Sequence, residues 1–384
     1  MPYPEEELVS ILKNGGVDFT SSLPCEKIKF LLELLPESFF HVPLTREEEG
    51  VGISAGAALA GKRPAMFVQS SGIGNMVNAL LSLTAFYTLP LSIFISHRGI
   101  HKEKIAAQVP MGYRLAGVLK GAGISYSMIR KQEDFGMIKK VLNRMYKKNM
   151  IHAFLMSPAL WKTADPDRQM SEVRVRTRQH LMKKTEPSSK QTRSSLSLLS
   201  RFEILQTMAP FITSKAVICN LGWPAKELFY VKHQPSNFYM LGSMGMASPI
   251  GLGISLTSTK EVLVIDGDGS LLMNPGILAT AAHYAPSNLT ILAIDNSSYG
   301  STGDQPTLTG SCVDLEAVAR GFGIRNTVKV SNKRQITYAM KKSHPELRFI
   351  HALARAGNED VPNITLDYLK NKKQFQRFLK NESS

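Results

Sequence analysis

Cysteine is scarce. Cys25, Cys219 and Cys312 are the only three in 384 residues, far apart and without CxxC or metal-ligand spacing. That spacing excludes a disulfide scaffold and a cysteine-held zinc, and it fits a reducing compartment, so a cytoplasmic protein without structural disulfides is expected. The opening MPYPEEELVS lacks the positive stretch and apolar core of a secretory signal. No charged side chain lies between Arg63 and Arg98, and residues 76–95 are apolar enough to raise a membrane span. Asn78, Pro90 and the β-branched pattern over 91–95 argue instead for a buried helix followed by a buried strand. No short-period repeat is present.

Positive charge is abundant, with a net +15 spread over 139–148, 174–190 and 370–380. None of these stretches is interleaved with aromatic residues in a nucleic-acid motif, so neither a nucleic-acid nor a membrane partner is expected. The charge reads as solvated helix faces and a linker, with a modest attraction for small anionic ligands. A hydrophobic fraction of 43% and a charged fraction of 20% are those of a soluble globular chain long enough for two domains.

Apolar β-like runs at 18–23, 39–43, 65–69, 91–96, 124–129 and 151–157 alternate with helical periodicity at about 5–13, 25–35, 46–60, 73–84, 112–121 and 134–148. This alternation predicts an α/β domain over residues 1–160 with a largely parallel sheet flanked by helices. The pattern fails across 161–199, which is rich in Arg, Lys and Ser and reads as a basic linker. A second α/β domain follows over 200–384. Its strands are expected near 216–221, 261–266, 289–296, 326–330 and 348–353, and its helices near 200–212, 247–257, 275–284, 313–321 and 333–343. No third domain is expected.

The most specific chemistry lies in this second domain. A β-branched run ends in Asp266-Gly267-Asp268-Gly269-Ser270, and a second apolar run ends in Asp295-Asn296. In a βαβ unit both ends reach the same sheet edge. Asp268, the Asn296 side chain and a carbonyl near Ser298 would then hold Mg²⁺, while Gly267 and Gly269 let the backbone approach a diphosphate. A GDG followed by Asp-Asn at this distance resembles the diphosphate and metal signature of thiamine diphosphate enzymes.

In the first domain, Glu47, Glu48 and Glu49 open a helix of small residues. Thiamine enzymes place one carboxylate on the aminopyrimidine ring, typically nine residues before a Gly of such a helix, and counting back from Gly56 gives Glu47. There it would share a proton with the ring nitrogen N1′. Between the two motifs lies GSMGMASPIGLGI. Its spacing to Gly253 and Asp268 makes Met244 the apolar support under the bent coenzyme.

With these motifs the chain resembles the sulfopyruvate decarboxylases, with the α-type and β-type subunits of the usual enzyme joined in one chain. It is similar, at one remove, to phosphonopyruvate decarboxylase. LTREEEGVGISAGAALAGKRPA, VQSSGIGN and RGIHKEKIAAQVPMG carry the first part of the resemblance. FYMLGSMGMASPIGLG, VIDGDGSLLMNPGILATAAHYAPSNL and DNSSYGSTGDQPT carry the second. Asp304 stands where the family usually has Gly, and His97 where a Trp is common.

The resemblance implies two thiamine diphosphate-binding-fold domains, one pyrimidine-binding and one diphosphate-binding. It also implies decarboxylation of a small anionic 2-oxoacid, 3-sulfopyruvate, to sulfoacetaldehyde in coenzyme M biosynthesis. The alternatives are 3-phosphonopyruvate as substrate, or coenzyme binding without turnover. The implied coenzyme set is Glu47, Gly242, Ser243, Met244, Gly267, Asp268, Gly269, Ser270, Asn296, Tyr299 and Gly300. Gln69, Ser70, Ser71, Arg98 and Gln108 are candidates for the substrate. Arg98 is expected to pair with its sulfonate or carboxylate, and His101 to relay a proton. His97 and His101 are four apart but have no third ligand nearby, so no metal site is expected from them. A homodimer or homotetramer with sites built from two chains is expected.

Overall fold

The computed structural model describes residues 3–161, 198–341 and 345–380. The expected linker at 161–199 lies outside the described residues except at its two ends. On the first side of it are β1 (Phe19–Ser22), β2 (Phe40–Pro43), β3 (Pro64–Gln69), β4 (Leu91–Ser96), β5 (Ser125–Ile129) and β6 (Ile151–Met156). On the other side are β7 (Ala216–Cys219), β8 (Asn237–Tyr239), β9 (Val262–Gly267), β10 (Leu289–Asp295), β13 (Asn326–Val330) and β14 (Arg348–Leu353). The short strands β11 (Ser298–Tyr299) and β12 (Gln305–Pro306) form a separate antiparallel pair.

The first sheet runs β2-β1-β3-β4-β6-β5 and the second β13-β14-β10-β9-β7-β8, and every pairing in both is parallel. Counted by order within its own half, the second sheet read backwards has the same strand order as the first. The two halves are therefore one topology used twice, with the loops after the strands on the functional edge of each. Strands β4 and β6 are buried along their whole length, which is why they read as continuous apolar runs.

Each sheet covers one face with an apolar cluster of its own. The opposite faces share a third cluster, built around the helices Glu47–Leu59 and Ala247–Ser255. Both helices are buried on nearly every side, so their small residues serve contact between backbones. A Cβ on Gly56 would sit 2.2 Å from the Ile250 oxygen, and one on Gly253 would sit 2.1 Å from the Ile53 oxygen. The two helices cross as a locally symmetric pair with glycine facing backbone on each side.

Three elements differ from expectation. The second sheet has six strands rather than five, because β8 is only three residues long, too short to register as a period. The basic stretch at 370–380 is a helix, Tyr368–Lys380, seated with Phe375 and Leu379 in the core. Its Asn371 side chain accepts from Tyr239 N at 3.0 Å and donates to Asn237 O at 2.7 Å, covering the open edge of β8. The expected helix at 73–84 divides into a 3₁₀ turn, a short α-helical turn and a π-helix, Leu80–Ala85. Among the described residues no helix is long and apolar enough to cross a membrane.

Candidate functional site

In the second half, β9 and β10 pair in parallel with Ile294 opposite Gly267. Asp268 and Asn296 therefore leave neighbouring strand ends on one edge, as their spacing predicts. Asn220, Met244, Asp268, Asn296, Tyr299 and Ser301 line a common cleft there, together with Gly267, Gly269, Ser270, Ser298 and Gly300. A Cβ on Gly269 would stand 2.2 Å from the Tyr299 ring, so only glycine permits that approach. Among the described residues, every one lining this cleft comes from the second half of the chain.

Two threonines that the sequence reading gave no role hold the carboxylate. The Thr307 and Thr309 hydroxyls lie 2.5 and 3.0 Å from Asp268 Oδ2, and Thr309 is also 2.7 Å from Asp295 Oδ1. Burial holds the Asp268 carboxyl above the usual carboxylate range, and the charge on Asp295 adds to it. His351 Nε2 lies 2.9 Å from Asp295 Oδ2. Burial alone would raise Asp295, but the hydrogen bonds from His351 and Thr309 outweigh it and leave that carboxyl low. Asn296 is buried and, among the described residues, its Nδ2 has no hydrogen-bond partner. A carboxylate suits a hydrated cation and the unsatisfied carboxamide donor beside it suits a phosphate oxygen, so thiamine diphosphate with Mg²⁺ fits these residues.

The β11–β12 pair shapes the rim of the cleft. Ser298 Oγ donates to Asp304 Oδ1 at 2.8 Å, and Asp304 has φ 61°, a conformation that glycine adopts without strain. The resemblance leads to Gly at this position, and the left-handed backbone there is one that Gly adopts freely. Behind the rim, Arg201 is paired with Glu227 at 2.8 Å and donates to Asn358, whose amide donates to Gly300 O at 2.9 Å.

In the first half, Glu47 opens its helix at the carboxyl edge of the sheet and is 4% exposed. Asn75 Nδ2 donates to its Oε2 at 2.9 Å, and a Cβ on Gly72 would meet its Oε1 at 2.4 Å. The three successive glutamates have separate duties. Glu48 faces Arg46 at 3.7 Å, and Glu49 accepts from Thr45 N, Thr45 Oγ1 and, across the two halves, Thr280 Oγ1. Burial raises the Glu49 carboxyl above its ordinary range. Glu49 is committed to anchoring the helix, which leaves Glu47 as the buried carboxylate at the edge. Asn75 lies inside VQSSGIGN, so its neighbourhood was legible although its partner was not.

The substrate candidates are divided by the structure. Arg98 is not an open anion receptor: its Nε and Nη2 each lie 2.7 Å from a Glu103 oxygen, in a pair whose side chains are 4% and 5% exposed. Glu103 also accepts from Gly99 N and Ile105 N, so the pair folds the 98–105 loop. Ser70 is buried and its hydroxyl faces Ser96 O and Arg98 O, at 3.1 and 3.4 Å. Gln69 and Ser71 are half-buried at the end of β3, Gln108 has a buried Oε1 without a partner among the described residues, and His101 is exposed. His97 is buried with Nε2 2.9 Å from Gly112 O, and burial lowers its pKa below the ordinary value. Among the described residues no group of three or more His, Cys, Asp or Glu is placed to hold a metal ion.

Residues 219–352 match the family described as thiamine pyrophosphate enzyme, C-terminal TPP binding domain. Over 98% of its length the chain is 41% identical to sulfopyruvate decarboxylase of Methanosarcina acetivorans, covering 97% of that protein. Subunits alpha and beta of the Methanocaldococcus jannaschii enzyme are 40% and 41% identical, over 40% and 44% of this chain and 94% and 93% of their own lengths. A phosphonopyruvate decarboxylase of Streptomyces hygroscopicus is 31% identical over 87% of this chain and 82% of its own. Among solved structures, benzoylformate decarboxylase from Polynucleobacter necessarius superposes with a TM-score of 0.73 at 12% identity, covering 94% of this chain and 100% of that one, which speaks for the fold alone.

Proposed function

Because the chain belongs to the sulfopyruvate decarboxylases, we propose that it converts 3-sulfopyruvate to sulfoacetaldehyde and CO₂ with thiamine diphosphate and Mg²⁺, in the cytoplasm, as a step of coenzyme M biosynthesis. The observation that carries this reading is 41% identity extending over both halves, since the reaction needs the carboxylate of one half and the cleft of the other.

When bound, the coenzyme would supply the sink for the electron pair left on the substrate as CO₂ departs. The protein's own part is placement. Asp268 and Asn296, with a carbonyl near Ser298, would hold the cation, and the Thr307 and Thr309 hydroxyls keep Asp268 turned to it. Glu47, steadied by Asn75, would hold a proton at the aminopyrimidine ring nitrogen. Met244, which lines the cleft, would support the bend of the coenzyme.

We further propose a homodimer or homotetramer with each site shared between two chains. This is supported by the diphosphate cleft, which among the described residues receives none from the first half of its own chain. The test is a decarboxylation assay with sulfopyruvate, phosphonopyruvate and pyruvate side by side, with and without thiamine diphosphate and Mg²⁺. Turnover of sulfopyruvate only with both additions is expected. Preference for phosphonopyruvate would reassign the substrate, and no turnover of any of the three would leave a binding protein.

A further inference from the structure

We propose that Ser82, on the first half, is a positioning residue for the Met244 loop of the second half, so that the π-helix carrying Ser82 sets the seat of the coenzyme in its own chain. The proposal rests on the reading of Met244 as the support under the bent coenzyme.

The loop just before Met244 is held in a conformation it would not choose alone. Ser243 is buried at φ 59°, the left-handed region where an L side chain is strained, and it persists only if its surroundings impose it. Those surroundings belong to the other half. Ser243 Oγ lies 2.6 Å from Ser82 Oγ, a contact between residues 161 apart in the chain. Ser82 Oγ also lies 2.9 Å from Asn78 O. With one hydrogen on each hydroxyl, Ser82 donates to Asn78 O and Ser243 donates to Ser82.

The neighbouring residues are fastened in the same way. A Cβ on Gly242 would stand 2.7 Å from the Ser82 carbonyl oxygen, so this position must be glycine for the loop to lie against the π-helix. Leu241 N donates to Tyr87 Oη at 3.1 Å, and Tyr87 Oη donates to Tyr239 O at 3.1 Å. On the far side of Met244, Gly245 N donates to Ser270 Oγ at 3.0 Å. Met244 is thus suspended between a first-half anchor and the Asp268 segment, and it enters the cleft beside Asn220 and Asp268.

Ser82 sits in the π-helix Leu80–Ala85, and wide turns of this kind are frequent at functional sites. The interruption of the helix accompanies the contact with residues 241–243. Ser82 is therefore more than a packing residue between halves, since its hydroxyl and its carbonyl both meet the two residues that precede the support.

The test uses full-length Ser82→Ala, Ser243→Ala, their double variant and Ser82→Thr. Thiamine diphosphate affinity is measured by calorimetry with Mg²⁺ present, and melting temperature without coenzyme. Each alanine is expected to weaken coenzyme binding about tenfold, the size of one intramolecular hydrogen bond, and the double variant no further than either single. Ser82→Thr, which keeps the hydroxyl, retains wild-type affinity. Unchanged coenzyme affinity in Ser82→Ala, with or without a fall in melting temperature, would overturn the proposal, as would additive losses in the double variant. A wild-type protein that binds no thiamine diphosphate would instead overturn the function proposed above, and this inference with it.

Discussion

Glu103→Gln asks directly whether Arg98 serves the substrate or the fold. The change keeps the shape of the side chain and removes its charge, leaving the Arg98 guanidinium, 4% exposed, without a counter-ion. Breaking a buried pair by neutralising one partner costs about 3–5 kcal/mol. Glu103 also accepts from Gly99 N and Ile105 N through its two oxygens. An amide has one carbonyl oxygen, so one of these bonds is lost as well, at a further cost of about 1 kcal/mol. A folding unit of this size loses roughly 2–4 °C per kcal/mol, so the melting temperature should fall by roughly 8–24 °C.

Differential scanning calorimetry and steady-state kinetics below the new transition give the two readings. A large drop in melting temperature with KM changed less than about threefold is expected. In Arg98→Leu/Glu103→Leu the buried charges are gone together, and part of the stability should return, though not the share of the two loop amides. A melting temperature within about 2 °C of wild type, together with a KM raised more than about tenfold, would refute the reasoning and return Arg98 to the substrate.

Glu47→Gln should keep coenzyme affinity within about tenfold while lowering kcat by orders of magnitude, read by calorimetry and single-turnover assay. Asp268→Ala should abolish Mg²⁺-dependent coenzyme retention in the same calorimeter. Gly56→Val should prevent a stable fold, since even a Cβ would lie 2.2 Å from the Ile250 oxygen; a soluble variant with wild-type melting would contradict the helix crossing. Arg98 hydrogen bonds hold the Glu103 carboxyl down to about 2 from an ordinary 4.5. A lowered folded-state pKa stabilises above the unfolded value, so this contribution is complete above pH 4.5 and is lost as the pH falls toward 2. Acid melting curves of Glu103→Gln should lack that part of the slope.

Much of this architecture is legible in the residues because buried parallel strands write continuous apolar runs, and strand ends that bind phosphate need glycine beside acid. The positions of Asp268 and Asn296 at adjacent strand ends follow from that alone. What stays hidden is pairing over long sequence distance. Glu47 stands out by its count from Gly56, but its separation from Glu49 depends on Thr280, more than two hundred residues away. Arg98 reads as a free cation only because spacing does not reveal the turn that brings Glu103 back to it. Thr307 and Thr309 are ordinary loop residues until a hairpin folds them over Asp268. The helix Tyr368–Lys380 is hidden by its charge, because its four lysines and one arginine mask the three aromatic residues and the leucines among them.

The shared site can be tested by mixing Glu47→Gln chains with Asp268→Ala chains after dissociation and random reassociation. If each site takes Glu47 from one chain and Asp268 from another, half of the dimers are hybrids, and each hybrid holds one intact site and one doubly damaged one. The mixture should then recover about a quarter of wild-type activity from two nearly inactive parents. Activity that stays at the level of the parents, with hybrid formation demonstrated by mass spectrometry, would contradict the two-chain site.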